Sequence, residues 1–201
     1  PIQLSAERIQ HKFKDKLSKE DSDILQRSTK TIVNQVNALK IMVNEFAEYA
    51  RPPKIHKDKI KIDRLINEVI DLYDVSKIIN FKKDKNIPMI YADQNKLRQV
   101  IINLLENSQD ALKDIKNPKI KISLKKKINE IELLVEDNGG GIPDEIIGRI
   151  FEPYVTSKKT GTGLGLAVVN KIIEEHAGKI KIDRIKNSGT RVTIMLRIGN
   201  K

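Results

Sequence analysis

The sequence predicts an α+β protein: a helical hairpin that completes a dimeric four-helix bundle, followed by a two-layer α/β sandwich. Three observations carry this expectation. A heptad stripe dominates the first quarter, a double proline closes it, and beyond it segments of helical and strand period alternate. With 201 residues, 39% hydrophobic and 32% charged, the chain can bury one ordinary core and carry a helical appendage.

Along the chain, Ile2, Ala6, Ile9, Phe13 and Leu17 form the stripe of a first helix, and Lys19-Glu20-Asp21-Ser22 offers a polar turn with Asp21 or Ser22 as N-cap. From 22 to 50, Leu25, Ile32, Leu39 and Phe46 recur every seven positions, interleaved with Thr29, Val36, Val43 and Ala50. That a/d seam suits a helix packed along other helices, and a homodimer supplies them. The alternative is that both helices lie on the C-terminal domain as ordinary amphipathic core. Pro52 and Pro53 in "ARPPK" cannot continue a helix, so domains are expected at 1–53 and 54–201, with a linker after the prolines. Ile62–Tyr73 then reads as helix, Ile78–Phe81 and Met89–Tyr91 as short strands, and Gln94–Leu112 as a long helix. Ile120–Leu124 and Ile131–Glu136 alternate at strand period around a turn at Asn129-Glu130. Leu164–His176 is helical and stops at Gly178 as C-cap, and strands Lys179–Asp183 and Arg191–Leu196 flank the turn "KNSG".

Composition narrows the function. The net charge of +11 is mostly lysine, spread from Lys12 to Lys201 among 27 acidic residues, with only 4% aromatics. Nucleic-acid binders cluster their basic residues and interleave aromatics, so no nucleic-acid partner is expected. The absence of cysteine excludes disulfides and cysteine metal sites and is compatible with a reducing cytoplasm. No apolar run approaches a membrane span, so no membrane contact is expected of these residues. The chain opens at Pro1 within a helical pattern and is expected to be cut from something longer.

Four stretches carry chemistry. "GTGLGLAVV" (161–169) places three glycines within five positions and enters a helix, so main-chain N–H groups and the positive helix end can face an anion. It is neither a Walker loop nor a dinucleotide fingerprint, and alone it could be a plain loop-to-helix turn. "DNGGGIP" (137–143) follows a strand, with Asp137 a fixed carboxylate able to accept from an exocyclic amine, or simply a cap. In "VIINLLENSQDAL", Leu97, Val100, Ile101, Leu104 and Leu112 face the core while Asn103, Asn107 and Asp110 share another face. Asparagine is a poor helix-interior residue, so two in register suggest a hydrated cation held by amide oxygens, the alternative being an exposed polar face. "FEPYVTSKKTGTGLGL" offers Phe151 as an anchor, then a polar stretch with Lys158 or Lys159 placed to neutralise a phosphate, or merely to be solvated.

In order, "NLLENS", "DNGGGIP", "FEPYVTSK" and "GTGLGL" resemble the N, G1, F and G2 boxes of the sensor histidine kinase catalytic domain. Its superfamily includes gyrase, Hsp90 and MutL. "SGTRVTIML" resembles the closing strand box, and the match covers about 100–196. The resemblance implies ATP and Mg²⁺ as cofactors. Asn107 would bind the metal with Asn103 in support, and Asp137 would take the adenine amino group beside Gly139, Gly141, Ile142 and Thr190. Lys158, Thr162, Leu164 and the main chain of Gly161, Gly163 and Gly165 would meet the phosphates under a lid at about 152–162. Hydrolysing members carry glutamate at position 103 as general base; asparagine is a poor base, which favours phosphoryl transfer to a positioned acceptor. Glu106, next to that site, is expected on another side of the helix. Many sensor kinases follow the metal asparagine with a lysine and an aromatic, where this chain has Asp110 and Ala111.

"QVNALKIMVNEFAEYARPPK" resembles the second helix of the dimerisation and phosphotransfer hairpin, especially of nitrogen-regulation kinases of the NtrY type. "PIQLSAERI" is similar to the segment directly after their phosphoacceptor box, and the box itself is absent. His11 lacks the acidic neighbour and proline of that box, and His56 and His176 read as surface or capping residues. The resemblance therefore implies a homodimeric kinase region acting on an upstream histidine and a response-regulator receiver domain. By itself it would bind nucleotide in the cytoplasm without phosphorylating itself, in a parent anchored in the bacterial inner membrane. The alternatives are an ATPase or nucleotide-gated clamp of the same superfamily, or a degenerate binding module.

Overall fold

The computed structural model describes residues 1–13, 16–50, 54–73, 76–158, 161–185 and 189–199. The double proline, Lys159 and the Lys186–Ser188 part of the last expected turn lie outside them. The chain divides into two compact units, Pro1–Pro52 and Pro53–Lys201.

The first unit is a hairpin of α1 (Ile2–Phe13) and α2 (Lys19–Ala50), which pack on each other. The expected turn at Lys19–Ser22 is instead the first turn of α2. Ser18 accepts the Asp21 N–H at 3.2 Å and donates to Asp21 Oδ2 at 2.6 Å, a reciprocal cap that starts the helix three residues earlier than an Asp21 cap would. Ala6 and Thr29 are buried between the helices, and the Thr29 hydroxyl is satisfied by Leu25 O at 2.8 Å. Farther along the stripe, Ile32, Leu39, Val43 and Phe46 remain 44–62% exposed. A two-helix hairpin has too little width to cover them.

The second unit joins a five-stranded sheet to helices. The strands are β2 (Ile79–Lys83), β4 (Ile120–Lys126), β5 (Glu130–Asp137), β6 (Lys179–Arg184) and β7 (Thr190–Arg197), in the order β2-β4-β5-β7-β6. Among the described pairs of this sheet only β2–β4 is parallel. The helices are α3 (Ile62–Asp71), α4 (Gln94–Ala111), the short α5 (Asp144–Ile147) and α6 (Gly165–Glu175). α4 packs against both α3 and α6. Leu97, Val100, Ile101, Leu104 and Leu112 are buried as their spacing requires, as are the alternate strand residues Ile120, Ile122, Ile131, Leu133 and Ile194. Each such side chain contributes about 1.5–3 kcal/mol of burial.

Three local expectations change. The linker holds β1 (Asp58–Ile60), paired antiparallel with β3 (Ile90–Ala92); three residues with only Ile60 buried are too few to display alternation. The β4–β5 turn falls one residue earlier, since Glu130 already pairs with Arg197 and its carbonyl accepts the Lys127 N–H at 2.8 Å. At the end of α6 the left-handed residue is Ala177 (φ 52°), not Gly178. The Gly178 N–H closes back on Ile173 O at 2.9 Å, and a side chain there would meet Met195 O at 2.6 Å, so glycine is required by packing.

Candidate functional site

The β5 strand explains the first half of the site. Its inward series Ile131, Leu133, Val135 ends on Asp137, so strand alternation carries a carboxylate into the core face. Asp137 is 8% exposed. Its Oδ1 accepts the N–H of Gly139 at 2.9 Å and of Thr190 at 3.2 Å. Burial pushes the carboxyl above the ordinary carboxylate range, and donors from Gly139, Thr190 and the Ser108 hydroxyl only partly offset it. Ser108 was not anticipated as a site residue. Its signal is its place in the apolar register of α4, four residues from both Leu104 and Leu112, where a hydroxyl is out of keeping.

Glycines bring these segments together. Gly189, with φ 105°, lies so close to Asp137 that a side chain would overlap the Asp137 carbonyl. That approach delivers the Thr190 N–H to the carboxylate. Gly139 sits against the end of α4, where a side chain would stand 2.6 Å from Ala111 O. The small residue at 111 therefore has a packing reason: it seats the 137–143 loop. Beyond it, Gly141 and Ile142 line an open cleft of about 410 Å³ with Pro143, Ile185 and Gly189. Arg184, also unanticipated, borders the cleft, bonds Ile142 O and pairs with Asp144 at 2.7 Å.

The second half is built on the polar face of α4. Asn103 donates to Gln99 O at 3.0 Å, and its Oδ1 lies 2.9 Å from where a side chain on Gly165 would begin. It thus faces the first residue of α6, a helix with no side-chain cap at its N-terminus. Asn107 Oδ1 and Asp110 Oδ2 each accept from Lys158 Nζ at 2.7 Å. The two oxygens converge on one cationic point, the donor chemistry that suits a magnesium ion completed by phosphates and water. Partial burial opposes ionisation of Asp110, but bonds from Lys113 and Lys158 outweigh it and hold the carboxyl below its usual range. Glu106, expected on another side of the helix, is exposed beside this face; burial and then the Glu106 charge raise the pKa of the Tyr73 hydroxyl.

The segment between the halves is irregular. Ile150 is buried and Phe151 only half-buried, so the expected anchor is shared with its neighbour. Tyr154 donates its N–H to Gly163 O at 3.1 Å, and Thr162 Oγ1 accepts the Leu164 N–H at 3.3 Å. Gly161 donates to Lys158 O at 3.4 Å. Among the described residues no helix is long and apolar enough to cross a membrane, and no group of three acidic or histidine side chains could hold a metal.

Residues 92–200, more than half of the chain, match the family described as histidine kinase-, DNA gyrase B- and HSP90-like ATPase. Nitrogen regulation protein NtrY of Azorhizobium caulinodans is 34% identical over 98% of this chain and 26% of its own length. An NtrY-like sensor histidine kinase of Rickettsia felis is 30% identical over 96% of this chain and 33% of its own. The chain thus spans about a quarter to a third of these curated relatives. Among solved structures, the catalytic domain of histidine kinase ThkA is 33% identical with a TM-score of 0.64, covering 71% of this chain and 96% of that one. ThkA in complex with the response regulator TrrA gives a TM-score of 0.73 at 28% identity, covering 98% of this chain and 59% of that one. The chain therefore belongs to the histidine kinase-, DNA gyrase B- and Hsp90-like ATPase family, with the nucleotide-binding fold of a sensor histidine kinase catalytic domain.

Proposed function

We propose that residues 54–201 are the ATP-binding catalytic domain of a two-component sensor kinase and residues 1–53 part of its dimerisation and phosphotransfer hairpin. The domain moves the γ-phosphoryl of Mg·ATP to a histidine of that hairpin's upstream helix, and thence to a receiver-domain aspartate. ThkA, solved with its response regulator, supports that class of partner. Asp137 accepts the adenine amino group, with Gly139, Gly141, Ile142 and Thr190 around the base. Asn107 supplies an oxygen to Mg²⁺, which draws charge from the phosphates; Asn103 supports it. Lys158, Thr162, Leu164, Gly161, Gly163 and Gly165 bind the phosphate chain. The parent's seat in the inner membrane is part of the same proposal.

The observation that carries kinase over hydrolase is the polar face of α4. Among the described residues, the α4 side chains that meet Lys158 or Gly165 are two amides, Asn103 and Asn107, and the Asp110 carboxylate, itself held by Lys158 and Lys113. Amides do not take a proton from water, and a carboxylate stabilised in its charged form is a weak base. The phosphoryl group is thus kept for a positioned acceptor.

The test uses the chain extended upstream through a phosphoacceptor histidine, incubated with γ-labelled ATP and Mg²⁺. Base-stable, acid-labile protein label is expected. Free phosphate without label would replace the kinase by an ATPase or clamp. In the chain as it stands, Asn107→Ala is expected to remove the Mg²⁺-dependent part of nucleotide affinity, read by calorimetry; unchanged affinity would take Asn107 out of the metal site.

A further inference from the structure

Asp110 stands where many sensor kinases carry a lysine, a reversal of charge, and it is paired with two lysines. Its Oδ2 holds Lys158 Nζ at 2.7 Å, and its Oδ1 holds Lys113 Nζ at 2.7 Å. The same Lys158 ammonium lies 2.7 Å from Asn107 Oδ1. One positive charge therefore occupies the position from which a divalent cation would engage the Asn107 oxygen, and two cations at that range repel each other.

We infer that Asp110 is a positioning residue that holds Lys158 across the Asn107 amide oxygen, so that Lys158 must leave Asn107 when Mg²⁺ engages there. This rests on the Mg·nucleotide reading of the site. Lys158 reaches α4 from the irregular segment, whose backbone is tied locally: its N–H donates to Thr156 Oγ1 at 3.1 Å and its carbonyl accepts from Gly161. The flexible four-carbon stem can move the ammonium without moving that backbone. Its destination is the phosphate side, along the glycines at 161–165. Lys113 stays on the other Asp110 oxygen, so the departure leaves the half-buried carboxylate paired and costs less than stripping a lone ion pair. Lys158 thus passes from a carboxylate to a phosphate as the metal arrives.

The experiment is calorimetric titration of ADP into the full chain at graded Mg²⁺, with a parallel ATP series. ADP is chosen because it lacks the terminal phosphate that Lys158 would contact. Lys158→Met and Asp110→Asn are both expected to lower the half-saturating Mg²⁺ concentration for ADP, by about fivefold, the scale of a partly exposed ion pair. They part on ATP: Asp110→Asn keeps the wild-type preference for ATP over ADP, and Lys158→Met loses it. An unchanged Mg²⁺ requirement in both variants overturns the competition, and a shift in Lys158→Met alone removes Asp110 from the positioning role. A raised requirement in Asp110→Asn would make Asp110 itself a metal ligand and also overturn the inference. No ADP binding by folded wild type would instead remove the nucleotide reading on which it depends.

Discussion

Asp137 concentrates the residue-scale question, because the same burial that makes it a directional acceptor makes its charge costly. Its folded pKa is raised, so any stability linked to its proton is present below the unfolded value of about 3.8 and is lost as pH rises through the folded pKa. At pH 7 the ionised form is a liability that an uncharged isostere removes. Asp137→Asn is therefore expected to unfold no lower than wild type at pH 7, while losing about tenfold or more in ADP affinity, the scale of a hydrogen bond to a charged group. Thermal melts with and without ADP check both parts; a lower melting temperature without ligand would mean that the carboxylate holds the fold together. Glycine gives this residue its surroundings. Without the close approach of Gly189, the Thr190 N–H would not reach the carboxylate.

At the scale of elements, His176 joins two helix ends. Its Nδ1–H donates to Ile172 O at 2.7 Å within α6, and Nε2 accepts the Asp93 N–H at 3.0 Å, at the N-cap of α4. Asp93 in turn caps Asn95 and Lys96 through Oδ1 and takes the His56 N–H on Oδ2. The link needs the neutral ring, and burial holds the His176 pKa below its ordinary value. The unfolded histidine takes up its proton near pH 6.5 and the folded one only at lower pH, so this stability is whole above about 6.5 and declines as pH falls further. Urea midpoints measured from pH 7.5 to 5.5 are expected to fall in wild type and to fall less in His176→Gln; equal slopes would put the proton uptake elsewhere.

Helices of three turns or more and strands of five residues or more were legible in the sequence because their periods repeat often enough to be counted. β1 and α5, with three and four residues, were not, whereas the equally short β3 was read at Met89–Tyr91, one residue early. The start of α2 was misplaced because Ser18, Asp21 and Ser22 are all good caps, and only geometry chooses among them. Within the site, motif residues stood out as glycines or amides at odd places. The meeting of Lys158 with Asp110 spans 48 positions and leaves no trace in either local pattern.

At the scale of the molecule, the exposed heptad stripe of α2 is an unfinished surface of the first unit. Four large apolar side chains repeat along one face with no cover inside the hairpin, and a second copy presents a matching stripe. The chain is expected to sediment as a dimer at micromolar concentration, and Ile32→Glu with Phe46→Glu to reduce it to monomer while nucleotide affinity stays the same. A monomeric wild type would assign the stripe to another partner. For the second unit, the meeting of Thr190 with Asp137 across 53 positions sets a timetable. As the polypeptide leaves the ribosome, the proposed base acceptor emerges long before the strand that completes its surroundings. A nucleotide can thus reward only the finished domain, so cellular ATP would act on quality control at the end of synthesis rather than on its course.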